Sequence, residues 1–225
     1  MGEIISFQSN GSDASGYFAK TDKNEAKSVI VIQEWWGLVD HIKDVCDRFA
    51  AAGFNALAPD LYNGKITKEP DEAAKEMMAL QMNDAAKVMS AAVDELLKRT
   101  GSNSVGVTGF CMGGGLALVL ACERPDVVRA VVPFYGIVPW EDAKPDYSKL
   151  SAKVLGHYAE KDGFFSPIAV REFEKELNEL GVENELIIYP DTDHAFFNDV
   201  RPEVYNKDAA ELSWNRTLDF FDKNV

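Results

Sequence analysis

The residues best suited to chemistry lie in Val105-Gly106-Val107-Thr108-Gly109-Phe110-Cys111-Met112-Gly113-Gly114-Gly115, an apolar run that enters a Gly-x-Cys-x-Gly turn. Small residues two before and two after a nucleophile let the chain turn sharply enough for the side chain to stand clear of a sheet. Cys111 holds the nucleophile's place in that elbow. At the first turn of a following helix, free backbone amides and the helix dipole favour a thiolate. A small buried hydrophobe beside a tight turn is the plainer reading of a lone cysteine, but it does not account for strand, turn and helix occurring together.

A thiol nucleophile needs a base, and the base needs an acceptor that orients it. The chain has three histidines, His41, His157 and His194. Behind such an elbow the acid and then the histidine follow in chain order, on loops after later strands. His194, in Pro190-Asp191-Thr192-Asp193-His194-Ala195-Phe196, follows the apolar run Leu186 to Tyr189 and meets that requirement. His157 lies inside an apolar run and His41 near a helix start, positions that suit structural roles. The acid is expected after the preceding strand, in Gly156-His157-Tyr158-Ala159-Glu160-Lys161-Asp162. Asp162 is the choice, with Glu160 as rival, and Asp191 and Asp193 read as loop formers.

These groups need a scaffold that brings strand ends together. Ser28 to Gln33 is a β-branched run of the kind buried on both faces of a parallel sheet. Asp40 to Ala52 carries Ile42, Val45, Phe49 and Ala50 at helical spacing and ends at Gly53. Phe54 to Leu61 reads as a strand, about Asp71 to Arg99 as a long helical region, Val105 to Phe110 as a strand and about Gly113 to Cys122 as a helix. Strands at Ala130 to Phe134 and Val154 to His157, a helix near Pro167 to Leu180, a strand at Leu186 to Tyr189 and a helix from about Asp208 to Asp222 complete the series. Alternating strands and helices imply an α/β fold with a mainly parallel, doubly wound sheet, whose ligands bind beyond the carboxyl ends of the strands.

The bulk numbers narrow the classes. With 225 residues and 46% hydrophobic content, and no linker-like stretch, residues 1–225 are expected to form a single domain. A net charge of −14 disfavours nucleic acid and anionic membrane surfaces as partners. No run approaches the roughly 20 apolar residues of a membrane span, and Met-Gly-Glu-Ile-Ile-Ser lacks the features of a signal peptide, so the expected address is cytoplasmic. Three cysteines make neither a disulfide framework nor a zinc site, and Cys46 and Cys122, on apolar helix faces, read as core. No phosphate loop or dinucleotide fingerprint occurs, so neither metal nor organic cofactor is expected.

The Gly109-Phe110-Cys111-Met112-Gly113-Gly114 elbow, the segment Gln33-Glu34-Trp35-Trp36-Gly37 and the late Asp-His loop together make the whole chain resemble the dienelactone hydrolase family, cysteine-nucleophile members of the α/β-hydrolase superfamily. The resemblance implies a carboxymethylenebutenolidase-type hydrolase that opens esters or lactones through a Cys111–His194–Asp162 triad and an acyl-cysteine. It implies that Glu34 contacts the resting thiol and controls its ionisation, and that the backbone amides of Trp35 and Met112 form the oxyanion hole. It also implies a small-molecule substrate and, by default, a monomer.

The resemblance is incomplete around the substrate. Members that take dienelactone hold its carboxylate with two arginines, one four residues beyond the catalytic histidine. Asn198 stands there, no arginine occurs between Gly64 and Lys98, and Arg201 is an alternative. Trp36, Met82, Tyr135, Phe165 and Phe196 are expected to line an apolar, aromatic pocket, with ordinary core packing as their alternative. Aryl esters and phosphotriesters remain alternative substrates for the same triad. Two other classes are a non-catalytic binding protein, which an intact Cys, Asp and His set argues against, and a thiol redox protein, for which Cys46 or Cys122 would have to approach Cys111.

Overall fold

The β-branched and small-residue runs become strands of one sheet: β1 (Glu3–Ser9), β2 (Ser12–Ala19), β3 (Ser28–Ile32), β4 (Asn55–Pro59), β5 (Val105–Phe110), β6 (Val128–Phe134), β7 (Lys153–Ala159) and β8 (Asn184–Tyr189). The structure, a computed structural model, describes residues 1–138 and 143–225. The strand order is β1-β2-β4-β3-β5-β6-β7-β8. β1 and β2 run antiparallel to each other and β2 antiparallel to β4, and the other neighbours are parallel. This is the mixed α/β sheet expected from the alternation of elements, with an antiparallel hairpin added at one edge.

Side chains alternate across the sheet and divide the interior into two cores. Ile30, Ile32, Val105, Val107, Val131 and Val154 point to one face, and Val29, Val31, Ala130, Val132, Leu155 and Ala159 to the other. The first face is covered by α3 (Met82–Thr100), α4 (Met112–Glu123) and α5 (Pro167–Glu179), and the second by α1 (Asp40–Ala51) and α6 (Lys207–Asn224). α4 is buried all round from Gly113 to Cys122, so its sequence is apolar on every face. Continuous burial of the central strands and helices on both faces follow from the same requirement, that each apolar side chain leave water.

Two features differ from the sequence reading. The hairpin β1–β2 lies ahead of the first β-branched run. It turns at Asn10-Gly11, both at positive φ (50° and 82°), the dipeptide that suits a two-residue hairpin. Only Ile5, Phe7 and Ser9 of β1 are buried, a weak apolar signal beside that of β3. The helical region expected from Asp71 to Arg99 is two helices, α2 (Pro70–Ala79) and α3, separated by extended Leu80 (φ −67°, ψ 117°) and Gln81 (φ −79°, ψ 117°). Neither residue is Gly or Pro, so composition did not mark the break.

α6 lies close against the sheet where β5 has no side chain. A Cβ at Gly106 would meet Phe221 at 2.7 Å and Val225 at 3.1 Å, and Phe221 is fully buried. Phe221→Ala should cost about 3–5 kcal/mol in urea denaturation. Gly106→Ala should cost about 1–3 kcal/mol alone, and measurably less, by about 0.5 kcal/mol or more, in the Phe221→Ala background.

Candidate active site

The elbow forms where β5 ends and α4 begins. Cys111 sits between them at φ 55°, ψ −119°, a conformation that costs a side-chain-bearing residue on the order of 1–3 kcal/mol and must be held by its surroundings. Those surroundings are backbone. A Cβ at Gly109 would overlap the carbonyl of Gly113, and one at Gly113 the carbonyls of Ile32 and Gln33. Cys111 N–H donates to Phe134 O (3.0 Å) on the adjacent strand, and its carbonyl accepts from Gly114 N–H (2.9 Å). The thiol is thereby raised above the sheet edge and lines a cavity.

Loops from β7 and β8 bring the partners. Asp162 is buried, and its Oδ1 accepts from the backbone N–H of Phe164 (2.7 Å) and Phe165 (3.1 Å). Its Oδ2 accepts from His194 Nδ1 at 2.8 Å. Because the carboxylate only accepts, it places a proton on Nδ1 and aims Nε2 away from itself. Nε2 is buried and has no protein hydrogen-bond partner. The rival Glu160 accepts instead from Asp191 N–H (2.8 Å), and Asp191 pairs with Lys161 at 3.0 Å. Tyr135 packs edge-on to the imidazole, ring centres 5.0 Å apart, and Phe164 covers it at 4.9 Å.

Burial opposes a charge on His194, but the hydrogen bond to Asp162 and the neighbouring Cys111 outweigh it and push the imidazole up to about 10. The other two histidines move the opposite way. Burial takes His41 down to about 4 and His157 to about 3. His157 bonds Thr217 Oγ1 (3.1 Å) and Tyr189 Oη (3.0 Å) within the core. His41 packs on Phe110 and Phe197.

Glu34 follows β3, is buried and lines the cavity. Its hydrogen bond is to Asn198, whose Nδ2 donates to Oε2 at 2.9 Å, rather than to Cys111. Burial raises its carboxyl, against the opposing pull of His194, Arg201 and the Asn198 amide. The hydrogen bond of Glu34 is thus made with the residue four beyond His194, while Glu34 and Cys111 line the same cavity. Trp35 and Met112, next in chain to Glu34 and Cys111, line the same cavity, and no protein acceptor takes their N–H groups among the described residues.

The cavity holds about 500 Å³. Trp36, Phe165 and Met82 line it, as do Met77, Leu80 and Phe164. Tyr135 and Phe196, expected at its surface, are fully buried behind it and support His194 and Tyr189 instead. Arg201 does reach the wall. Successive turns after His194 (Asn198 N to Ala195 O, Arg201 N to Asn198 O) fold the loop back, and the guanidinium lies 6.0 Å from the Trp36 ring centre. Counting a fixed offset from the histidine could not reveal that fold. Cys46 and Cys122 are buried on α1 and α4. The described residues contain no cluster of metal-ligating side chains and no helix long and apolar enough to cross a membrane.

Comparison with known proteins gives the chain's family. The model of the dienelactone hydrolase family matches residues 14–225. The chain belongs to the dienelactone hydrolase family. It is 39% identical to the usf protein of Aquifex pyrophilus and 34% identical to a candidate carboxymethylenebutenolidase of Aquifex aeolicus, each alignment covering 98% of both chains. A crystal structure of a candidate dienelactone hydrolase from Klebsiella pneumoniae superposes with a TM-score of 0.90 at 27% identity, covering 99% of this chain and 98% of that one. A dienelactone hydrolase-like promiscuous phosphotriesterase from metagenomic libraries shares the fold, with a TM-score of 0.88, 21% identity and the same coverage. The protein is therefore a dienelactone-hydrolase-like hydrolase on an α/β-hydrolase fold.

With His41 and His157 neutral, His194 should give the one imidazole resonance that titrates between pH 6 and 10 in NMR of labelled protein. Its midpoint should lie well above 6.5 and fall in Cys111→Ala, which removes one of the two raising partners. A folded pKa above the unfolded value stabilises fully below pH 6.5. Denaturant stability attributable to His194 should therefore decline as pH rises from 6.5 through about 10.

Proposed function

We propose that the chain hydrolyses carboxylic esters or lactones through an acyl-Cys111 intermediate. The observation that carries this reading is the Asp162–His194 hydrogen bond behind a cavity whose wall holds both His194 and the elbow thiol of Cys111. An imidazole held beside a thiol can take its proton as the sulfur attacks, so the nucleophile needs no prior loss of a proton to solvent.

The thiolate attacks the acyl carbon, and the developing oxyanion is held by the N–H groups of Trp35 and Met112, at the end of β3 and the start of α4. The imidazolium protonates the departing alkoxide or enolate. Now neutral, His194 takes a proton from water, which attacks the thioester and frees Cys111. Asp162 keeps the tautomer fixed throughout. Glu34 is a positioning group: its buried carboxyl, tied to Asn198, shapes the wall beside the thiol. Arg201 and Lys161 give the cavity two positive groups near His194. The substrate is a small molecule, and the monomer is the working state.

Hydrolysis of p-nitrophenyl butyrate tests the assignment. Cys111→Ala and His194→Ala should each lower kcat by at least about a thousandfold and Asp162→Asn by a comparable factor, since members of such a unit fail together. Turnover unaffected by Cys111→Ala and His194→Ala would refute it. A phosphotriester, the class named for the metagenomic fold neighbour, run on the same variants would show whether that chemistry uses the same nucleophile.

A further inference from the structure

The cavity is asymmetric about Cys111. Its described charged wall residues are Glu34, Lys161, Asp193 and Arg201; Glu34 adjoins the oxyanion amide of Trp35, and the other three share the loops around His194. The rest of the wall includes Met77, Leu80, Met82, Leu116, Ile137 and Val138, of which Leu80, Met82, Leu116 and Ile137 belong to the core face covered by α3, α4 and α5, with no charged side chain in this group. A reacting carbonyl has fixed requirements here. Its oxygen must face the Trp35 and Met112 amides, and its leaving oxygen must face His194 Nε2. The remaining substituent, the acyl part, is then left to face the side of the cavity at Gly115 and Leu116, where the described residues carry no charge.

α2 supplies Met77 to that wall and buries little of its own surface. It buries a single residue, Ala73, while Met78 on its outer side is 80% exposed. The extended residues Leu80 and Gln81 separate it from α3, and the side chains on either side of Gln81, those of Leu80 and Met82, line the cavity. Two of the three lining residues here are methionines, whose unbranched thioethers adapt to ligands of different outline.

We propose that this sleeve takes the acyl portion of the substrate, and that this portion is an apolar chain or ring longer than acetyl whose reach is set by Met77, Leu80 and Met82. The inference rests on the acyl-Cys111 reading and adds the substrate class. A fully buried methylene is worth about fourfold in affinity. Partial burial of four methylenes should therefore raise kcat/KM about tenfold or more between acetyl and hexanoyl esters.

The test measures kcat/KM for p-nitrophenyl acetate, butyrate, hexanoate and octanoate with wild-type protein, Leu80→Asn, Leu80→Trp and Cys111→Ala. Leu80→Asn makes the sleeve polar and Leu80→Trp fills it, so both should lower the hexanoate-to-acetate ratio at least about threefold, most of one buried methylene. A flat or falling length series in an enzyme that requires Cys111 would overturn the sleeve alone. So would a ratio unchanged in both Leu80 variants. Hydrolysis of the series by Cys111→Ala at the wild-type rate would overturn the catalytic reading, and the inference with it.

Discussion

The turn at Cys111 is the constraint on which the rest of the site depends. A cysteine at φ 55°, ψ −119° persists because backbone from two other segments, the end of β3 and the turn after β6, packs against the elbow. Gly109 lies against the Gly113 carbonyl, Gly113 against the end of β3, and Gly136 against the carbonyl of Cys111 itself. Each approach is possible only without a Cβ. The same packing that strains the nucleophile brings the end of β3, with Trp35, beside the first turn of α4, with Met112. The proposed nucleophile and the proposed oxyanion donors are thus placed by one packing event in the sheet.

Charge organises the other half of the site. Asp162 is buried and receives two backbone amides as well as the imidazole, so it holds His194 from a fixed point. Glu34 is the second buried carboxyl, and burial pushes it toward its neutral form. Asp162 accepts from two backbone N–H groups and an imidazole, Glu34 from a single amide side chain. Asn198, where an arginine would supply a full positive charge, leaves Glu34 without a fixed counter-ion on that side. The Arg48–Asp199 ion pair anchors the loop next to Asn198 to α1.

Much of this was legible in the sequence because local chemistry and global fold agree. The β-branched run of β3, the elbow glycines and the order of cysteine, aspartate and histidine each signal the same architecture. What was not legible is what depends on distant pairing. The β1–β2 hairpin announced itself only by Asn10-Gly11, since its outward residues are exposed and its apolar count is low. Leu80 and Gln81 interrupt a helix without any residue that breaks helices. Tyr135 and Phe196 have pocket-like composition, yet the sheet places them one layer deeper, and Arg201 reaches the cavity through turns that its offset from His194 conceals. Such outcomes are set by tertiary packing, which residue type alone does not encode.

The central claim, that Cys111 carries the acyl group, is tested most directly by rapid acid quench of wild-type protein with p-nitrophenyl butyrate, followed by peptide mapping by mass spectrometry. Cys46 and Cys122 are built-in controls, since burial pushes both thiols up, Cys122 to about 12. The account predicts a butyryl group on the peptide containing Cys111 that forms within one turnover and disappears as substrate is exhausted. Continued hydrolysis with no acyl group on that peptide at any quench time would contradict it.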